Sequence, residues 1–392
     1  LTVKHTICLL SVDLDMFSRL LLFSLLFIFN ACANYMGTKV HVNIMKPAEI
    51  SLGDIKNIAV LDFDFVGEWT FDEKDEPETL AEIIKEGLKQ SLDIPENSVE
   101  KLDPNKAFPG KEISEKIITS LVKNGHYSVV DRSMLDKILN EQKLSMSGIV
   151  IDENVTKIGE MLGVDAFLIG NGNYSVKDDG GWYKKESNEK VYYYYKINRK
   201  IDVSITYKIV SVETGQVIAS KENSSRNYDD KDITRALFNN QYFDYVQAQD
   251  EKTAREKIPE WKPIVNKLID KIVKNSIKQI APYYKKTSKL IKSGYSIGMK
   301  TGLQYAKRNM WEDAKDSWEQ VLKDHTANGI KDRIPAMYNL GVYCEIKDDL
   351  DDAEEIFDKC FKESGKNEYL DARQRVQKRR KELEKLEKQI NN

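Results

Sequence analysis

The sequence predicts an α/β domain built on a mixed β-sheet with flanking helices, followed by an all-α region of helical repeats. Three observations carry this. Buried-type strands at residues 58–65 and 166–169 are interleaved with segments of helical apolar spacing. A cleanly alternating strand at 201–207 precedes a strongly amphipathic helix at 261–280. From about residue 295 only helical periodicity remains, and it repeats. At 392 residues the chain has room for two or three domains with real cores.

The elements follow in order. Arg19 precedes the apolar run from Leu20 to Phe29, and Ala31 precedes Cys32. This is the anatomy of a signal peptide, and the run is too short to span a membrane as a helix. The expectation is a bacterial lipoprotein acylated on Cys32, with residues 1–31 as leader. Met16 is a better start than Leu1, so residues 1–15 read as an over-extended frame. The lipobox is imperfect, with Phe29 and Asn30 where Leu and a small residue are usual. Residues 32–54 form a lipidated tether and an opening strand around Val40, Val42 and Ile44. The α/β domain covers 55–285. It takes in helices through Leu80–Leu92 and Ile113–Leu121, a strand at 127–130, a helix capped by Asp131, and a helix through Val155, Ile158 and Leu162. The strand at 166–169 is expected to break at Gly170 and Gly172. Long strands over 191–212 and 216–220 are joined by a tight turn at Glu213-Thr214-Gly215. Trp261, Val265, Leu268, Ile269, Ile272, Val273, Ile277 and Ile280 place one apolar helical stripe on the sheet, and Pro282 ends it.

In the C-terminal region, Gly302, Tyr305, Ala314 and Trp318 recur in spacing as Gly341, Cys344, Ala353 and Phe357. This resembles the tetratricopeptide repeat, with two units over 295–364 and a charged capping helix at 365–392 that frays. The 39-residue offset exceeds the usual ~34, and the excess fits the linker at 326–329. The resemblance implies a groove that binds protein partners, lined by Tyr305, Asn339 and Tyr343; the alternative is that these three only pack between the repeats.

The first domain resembles the CsgG (curli secretion and assembly) lipoprotein family. The matching stretches are Asn57-Ile58-Ala59-Val60, Tyr127 to Arg132, the helix with Leu135, Leu139 and Glu141, Ile201-Asp202-Val203, and Val212 to Val217. The resemblance implies a lipid-anchored outer-membrane protein facing the periplasm; the best-known members form rings that open an export pore. Such channels insert two β-hairpins. The corresponding segments here carry Lys177, Asp178, Asp179, Lys184, Lys185, Glu186, Glu189 and Lys190, then Arg226, Asp229, Asp230, Lys231, Asp232, Arg235, Asp250, Glu251 and Lys252. A Lys or Arg on a lipid face costs about 2–4 kcal/mol at the midplane, which favours a strand in a soluble sheet. Tyr192 to Tyr195 offer the contrary reading, an interfacial girdle. The fold also resembles periplasmic lipoproteins that activate peptidoglycan synthases.

Catalytic and metal motifs are missing from the sequence. His41, His126 and His325 are far apart, and Gly170-Asn171-Gly172 lacks the lysine of a phosphate loop. Asp62 and Asp64 lie two apart on a strand, hence on one face, which makes them a candidate acid pair, although such residues more often end a strand or meet helix N-termini. Cys344 and Cys360 can pair in an oxidising compartment or serve as small buried hydrophobes, the latter being the expectation. The net charge of −3 does not favour nucleic acid. The sequence therefore predicts a non-enzymatic envelope scaffold without cofactor, bound to envelope proteins, to exported polypeptides or to itself. The anchor reading has a direct test. Cys32→Ala should release the protein from washed membranes, and retention after an alkaline wash would favour an inserted pore.

Overall fold

The computed structural model describes residues 37–73, 99–101, 109–130, 152–187, 190–228 and 245–391. In chain order, its N-terminal elements are β1 (Thr38–Lys46), β2 (Asn57–Val60), β3 (Asp64–Glu73), β4 (Val99–Lys101), α1 (Gly110–Asn124), β5 (Ser128–Val129) and α2 (Asp152–Leu162). Then come β6 (Ala166–Ser187), β7 (Lys190–Ser211), β8 (Val217–Arg226), β9 (Tyr245–Ala248), α3 (Glu251–Lys257) and α4 (Trp261–Ile280). The last are β10 (Tyr283–Ile291), α5 (Ile297–Lys307), α6 (Trp311–Lys323), α7 (Ala327–Lys347), α8 (Leu350–Ser364) and α9 (Asn367–Asn391). The leader, Cys32 and the helices expected around Leu80–Leu92 and Leu135–Leu139 lie outside the described residues. The chain divides into an α/β unit, Ala48–Pro282, and a helical unit that combines residues 37–47 with Tyr283–Lys388.

The α/β unit is organised by one long antiparallel ladder. β6 and β7 pair without interruption from Ala166 opposite Ser211 to Ser187 opposite Lys190. β2 and β3 run parallel to β6 along its other edge. β5 extends the sheet beside β2, β4 lies antiparallel beside β3, and β8 and β9 pair antiparallel with β7. Helices α1 and α4 bury Ile113, Ile117, Leu121, Leu268 and Ile272 against one face. Ile158 of α2 packs with Phe167, Val210 and Val212 on the other. Gly125 and Gly163 end α1 and α2 with φ of 75° and 66°, as expected of left-handed C-terminal glycines.

Two strand expectations are corrected. Gly170 and Gly172 lie inside β6 rather than ending it. A Cβ at Gly170 would stand 2.0 Å from the Phe63 ring, so glycine here makes room for an aromatic neighbour. The strand expected over 58–65 is split at residues 61–63. Val60 pairs with Leu168 and Asp64 with Asn171, so the β2–β3 edge carries one residue more than β6 and bulges. Asp62 and Asp64 therefore do not sit two apart on one regular strand face.

The bulge leaves main-chain groups unpaired in the ladder, and α1 supplies their partner. Ser114 Oγ accepts from Phe63 N–H at 3.2 Å and donates to Leu61 C=O at 2.9 Å, all buried. Ser114→Val should therefore destabilise the α/β unit by about 1–3 kcal/mol, the usual cost of stranding buried polar groups. Urea unfolding measures it, and an unchanged midpoint would refute the role given to Ser114.

Candidate partner-binding surfaces

The far end of the β6–β7 hairpin has two chemically distinct faces. On the inner face Asp178 is 2% exposed. Arg199 grips it with two charge-assisted bonds of 2.7 Å, and Trp69 Nε1 donates to it at 3.0 Å. Next to this pair a small apolar cluster forms from Tyr195, Ile197, Ala248 and Ala254, with Phe71 and Trp182 packed on it. Helix α3 covers the cluster, and the Arg255 guanidinium stands 4.0 Å above the Phe71 ring. The sequence reading placed a second hairpin over 226–252. Among the described residues, that stretch supplies the end of β8, strand β9 and the start of α3.

The outer face is polar and internally neutralised. Lys177 pairs with Asp72, Lys200 with Asp179 at 2.8 Å, and Arg226 with Asp202 at 2.7 Å. Tyr183 and Tyr194 stack at 6.0 Å, with the Lys196 ammonium 4.7 and 5.4 Å from their centroids. Of the expected tyrosine girdle, Tyr195 points the other way into the apolar cluster. This face has the chemistry of a solvated sheet.

In the helical unit, α5–α6 and α7–α8 form two helix hairpins with the same internal contacts. A Cβ on Gly302 would meet the Trp318 indole at 2.3 Å, and one on Gly341 would meet the Phe357 ring at 2.7 Å. Ala314 and Ala353 are fully buried beside them. β1 and β10, paired antiparallel along their whole length, form a two-stranded ribbon on α5 and α7. Val40 and Ile291 of the ribbon enter the helical core with Met299, Tyr338 and Val342. β10 had no counterpart in the sequence reading.

The ribbon settles where the expected groove residues lie. Asn339 is fully buried, accepting from Lys292 N–H at 2.7 Å and donating to Lys292 C=O at 2.9 Å. It holds extended main chain, but that chain is its own. Tyr343 turns toward α6, donating to Glu312 at 2.6 Å with Lys315 and Lys347 flanking its ring. Burial and the Glu312 bond push its phenol above the usual range. Tyr305 is half-buried against the helical core. The three do not converge on one open groove. Cys344 and Cys360 are both free, and burial raises their thiols to about 11 and about 12.

A buried charge network ties ribbon to helices. Glu345, its side chain 1% exposed, binds Lys289 of β10 and accepts hydrogen bonds from Nε and Nη2 of Arg375 in α9. Arg379 joins Asp348 at 2.8 Å to the Met45 carbonyl at 2.6 Å. The capping helix, expected to fray, is held by Arg373, Arg375, Arg379 and Arg380, each on an acidic partner in α7 or α8 or at the bend between them. Burial alone would raise the Glu345 carboxyl, but the Arg375 hydrogen bonds and the Lys289 charge outweigh it and hold it below the usual range. A depressed carboxylate stabilises the fold above its unfolded pKa, and this is lost as pH falls through the folded value. The helical unit should therefore lose thermal stability below about pH 4.5. Glu345→Gln should be destabilised by about 3–5 kcal/mol at neutral pH. Its deficit should shrink on acidification, and a constant deficit would refute the linkage.

No group of His, Cys, Asp or Glu suited to a metal occurs among the described residues. None of the described helices is long and apolar enough to cross a membrane.

Comparison with known proteins bears on both units. Residues 97–281 match the family described as curli production assembly/transport component CsgG, and residues 300–385 match a domain of unknown function, DUF6340. No curated protein matches the chain. The LpoB C-terminal domain from Salmonella enterica is 12% identical over 45% of this chain and 84% of its own, with a TM-score of 0.25. Lipoprotein GNA1162 from Neisseria meningitidis is 12% identical over 43% of this chain and 79% of its own, with a TM-score of 0.24. The PelC dodecamer from Paraburkholderia phytofirmans is 8% identical over 62% of this chain and 98% of its own, with a TM-score of 0.23. The α/β unit of this chain carries a CsgG-like domain.

Proposed function

We propose that this protein is a non-enzymatic scaffold of the bacterial envelope. Acylated Cys32 tethers it to the outer membrane. The α/β unit docks on a protein partner or on a second copy in the periplasm, and the helical unit, a tetratricopeptide-like array, adds a further protein-binding surface away from Asn339, which its own chain occupies. The match to an assembly and transport family supports an envelope role. The observation that carries the scaffold reading is the outer face of the β6–β7 hairpin. Lys177, Lys200 and Arg226 stand there in ion pairs, where a lipid-facing strand would show an apolar band.

The length of that hairpin, two strands of 22 residues, favours a second reading as an export channel of the curli type. Planar-bilayer recording separates the two. Purified protein should give no discrete conductance steps, and reproducible steps would overturn the scaffold reading. In-cell crosslinking then identifies the partner class. An envelope protein, such as a peptidoglycan synthase, should co-purify with the wild-type chain.

A further inference from the structure

We infer that the exposed face of the β1–β10 ribbon docks on anionic lipid headgroups. The inference rests partly on the acylation of Cys32, and its charge argument stands apart from that reading. Neither strand contains an acidic residue, whereas together they carry Lys39, Lys46, Lys285, Lys286, Lys289 and His41. Lys46 and Lys289 are taken up by Glu382 and Glu345. Lys39, Lys285 and Lys286 are exposed, with no acidic partner among the described residues; Lys39 and Lys286 stand on the outward face, whereas Lys285, opposite Ile44, alternates to the other side at the ribbon's end. This cluster stands out in a chain whose net charge is −3.

The strand register places the charges. Val40, Val42 and Ile291 turn inward to the helices, so Lys39, His41 and Asn43 face outward opposite Leu290, Ser288 and Lys286. Tyr284, next on that face, is 72% exposed. Beside the ribbon lies a cleft of about 460 Å³, lined by His41, Asn43, Lys286, Asn309 and Trp311. Cations rimmed by tyrosine and tryptophan suit the headgroup layer, where amphipathic rings settle. The tether chooses membrane over an acidic polypeptide as occupant. Thr38 follows Cys32 by six residues, a reach of at most about 20 Å. An acylated Cys32 therefore keeps the ribbon within about 20 Å of the bilayer, near enough for this face to meet headgroups. A lipid chain and a basic patch form the two-signal anchor that gives stable membrane attachment.

Co-sedimentation of the chain from Ala33 onward, which contains every described residue and no acyl group, tests the docking. It should bind phosphatidylcholine vesicles containing phosphatidylglycerol, release at high salt, and ignore pure phosphatidylcholine. Lys39→Glu with Lys286→Glu should weaken binding at least about tenfold. Lys267→Glu, exposed on α4, should leave it unchanged. Equal binding to both vesicle types would overturn the docking, as would no binding at all. Retention on poly-glutamate without vesicle binding would also overturn it, by assigning the face to an acidic polypeptide. The intact mass of the membrane-extracted protein tests acylation separately. A missing acyl group with vesicle binding intact would remove the anchor reading and leave the headgroup site standing.

Discussion

Close approach of backbone to aromatic ring governs both units. In the sheet, Gly170 lies under Phe63, Gly67 under Tyr174 and Gly180 under Tyr195. In the helices, Gly302 lies under Trp318 and Gly341 under Phe357. At each place a single Cβ would collide with ring atoms, so elements could not reach their observed separation with any other residue. These contacts keep β6 continuous beside the bulged β2–β3 edge, and they set the spacing of each helix hairpin. The surfaces that face outward inherit their geometry from these seams.

Charge is used differently inside and outside that framework. Asp178 with Arg199, and Glu345 with Lys289 and Arg375, are buried and multiply bonded. Their value lies in where they hold elements, because desolvation offsets much of the attraction. Glu345 fixes the ribbon and the last helix on α7. The outer face of the long hairpin carries exposed pairs of small energetic weight that still mark it as a wet surface. The ribbon has cations without acids, and that asymmetry makes it a recognition surface.

Much of this was legible in local patterns. The stripe on α4 appears as expected, with all seven of its aliphatic positions in the core. The repeat spacing places Gly302 against Trp318 and Gly341 against Phe357 because helical periodicity and small–large pairing are local signals. The misses have physical causes. Tyr283–Ile291 received no element from the sequence, since most of its strand pattern is exposed and its partner strand among the described residues, β1, is more than 230 residues away. Gly170 and Gly172 read as breakers because the groups that crowd them, the Phe63 ring and the Ser204 carbonyl, come from distant parts of the chain.

The sequence by itself determined the types of the long elements, the amphipathic faces, the likeness of the α/β domain to CsgG and the helix-hairpin repeat, all of which are encoded within short windows. Tertiary structure alone decided which long-range pairs form. It joined β1 to β10, laid that ribbon over the face that would have been an open groove, turned Asn339 onto the chain's own backbone, and left Lys39 and Lys286 facing outward. Side-chain periodicity states that a strand has two faces. Only the register with a distant partner states which one meets the solvent.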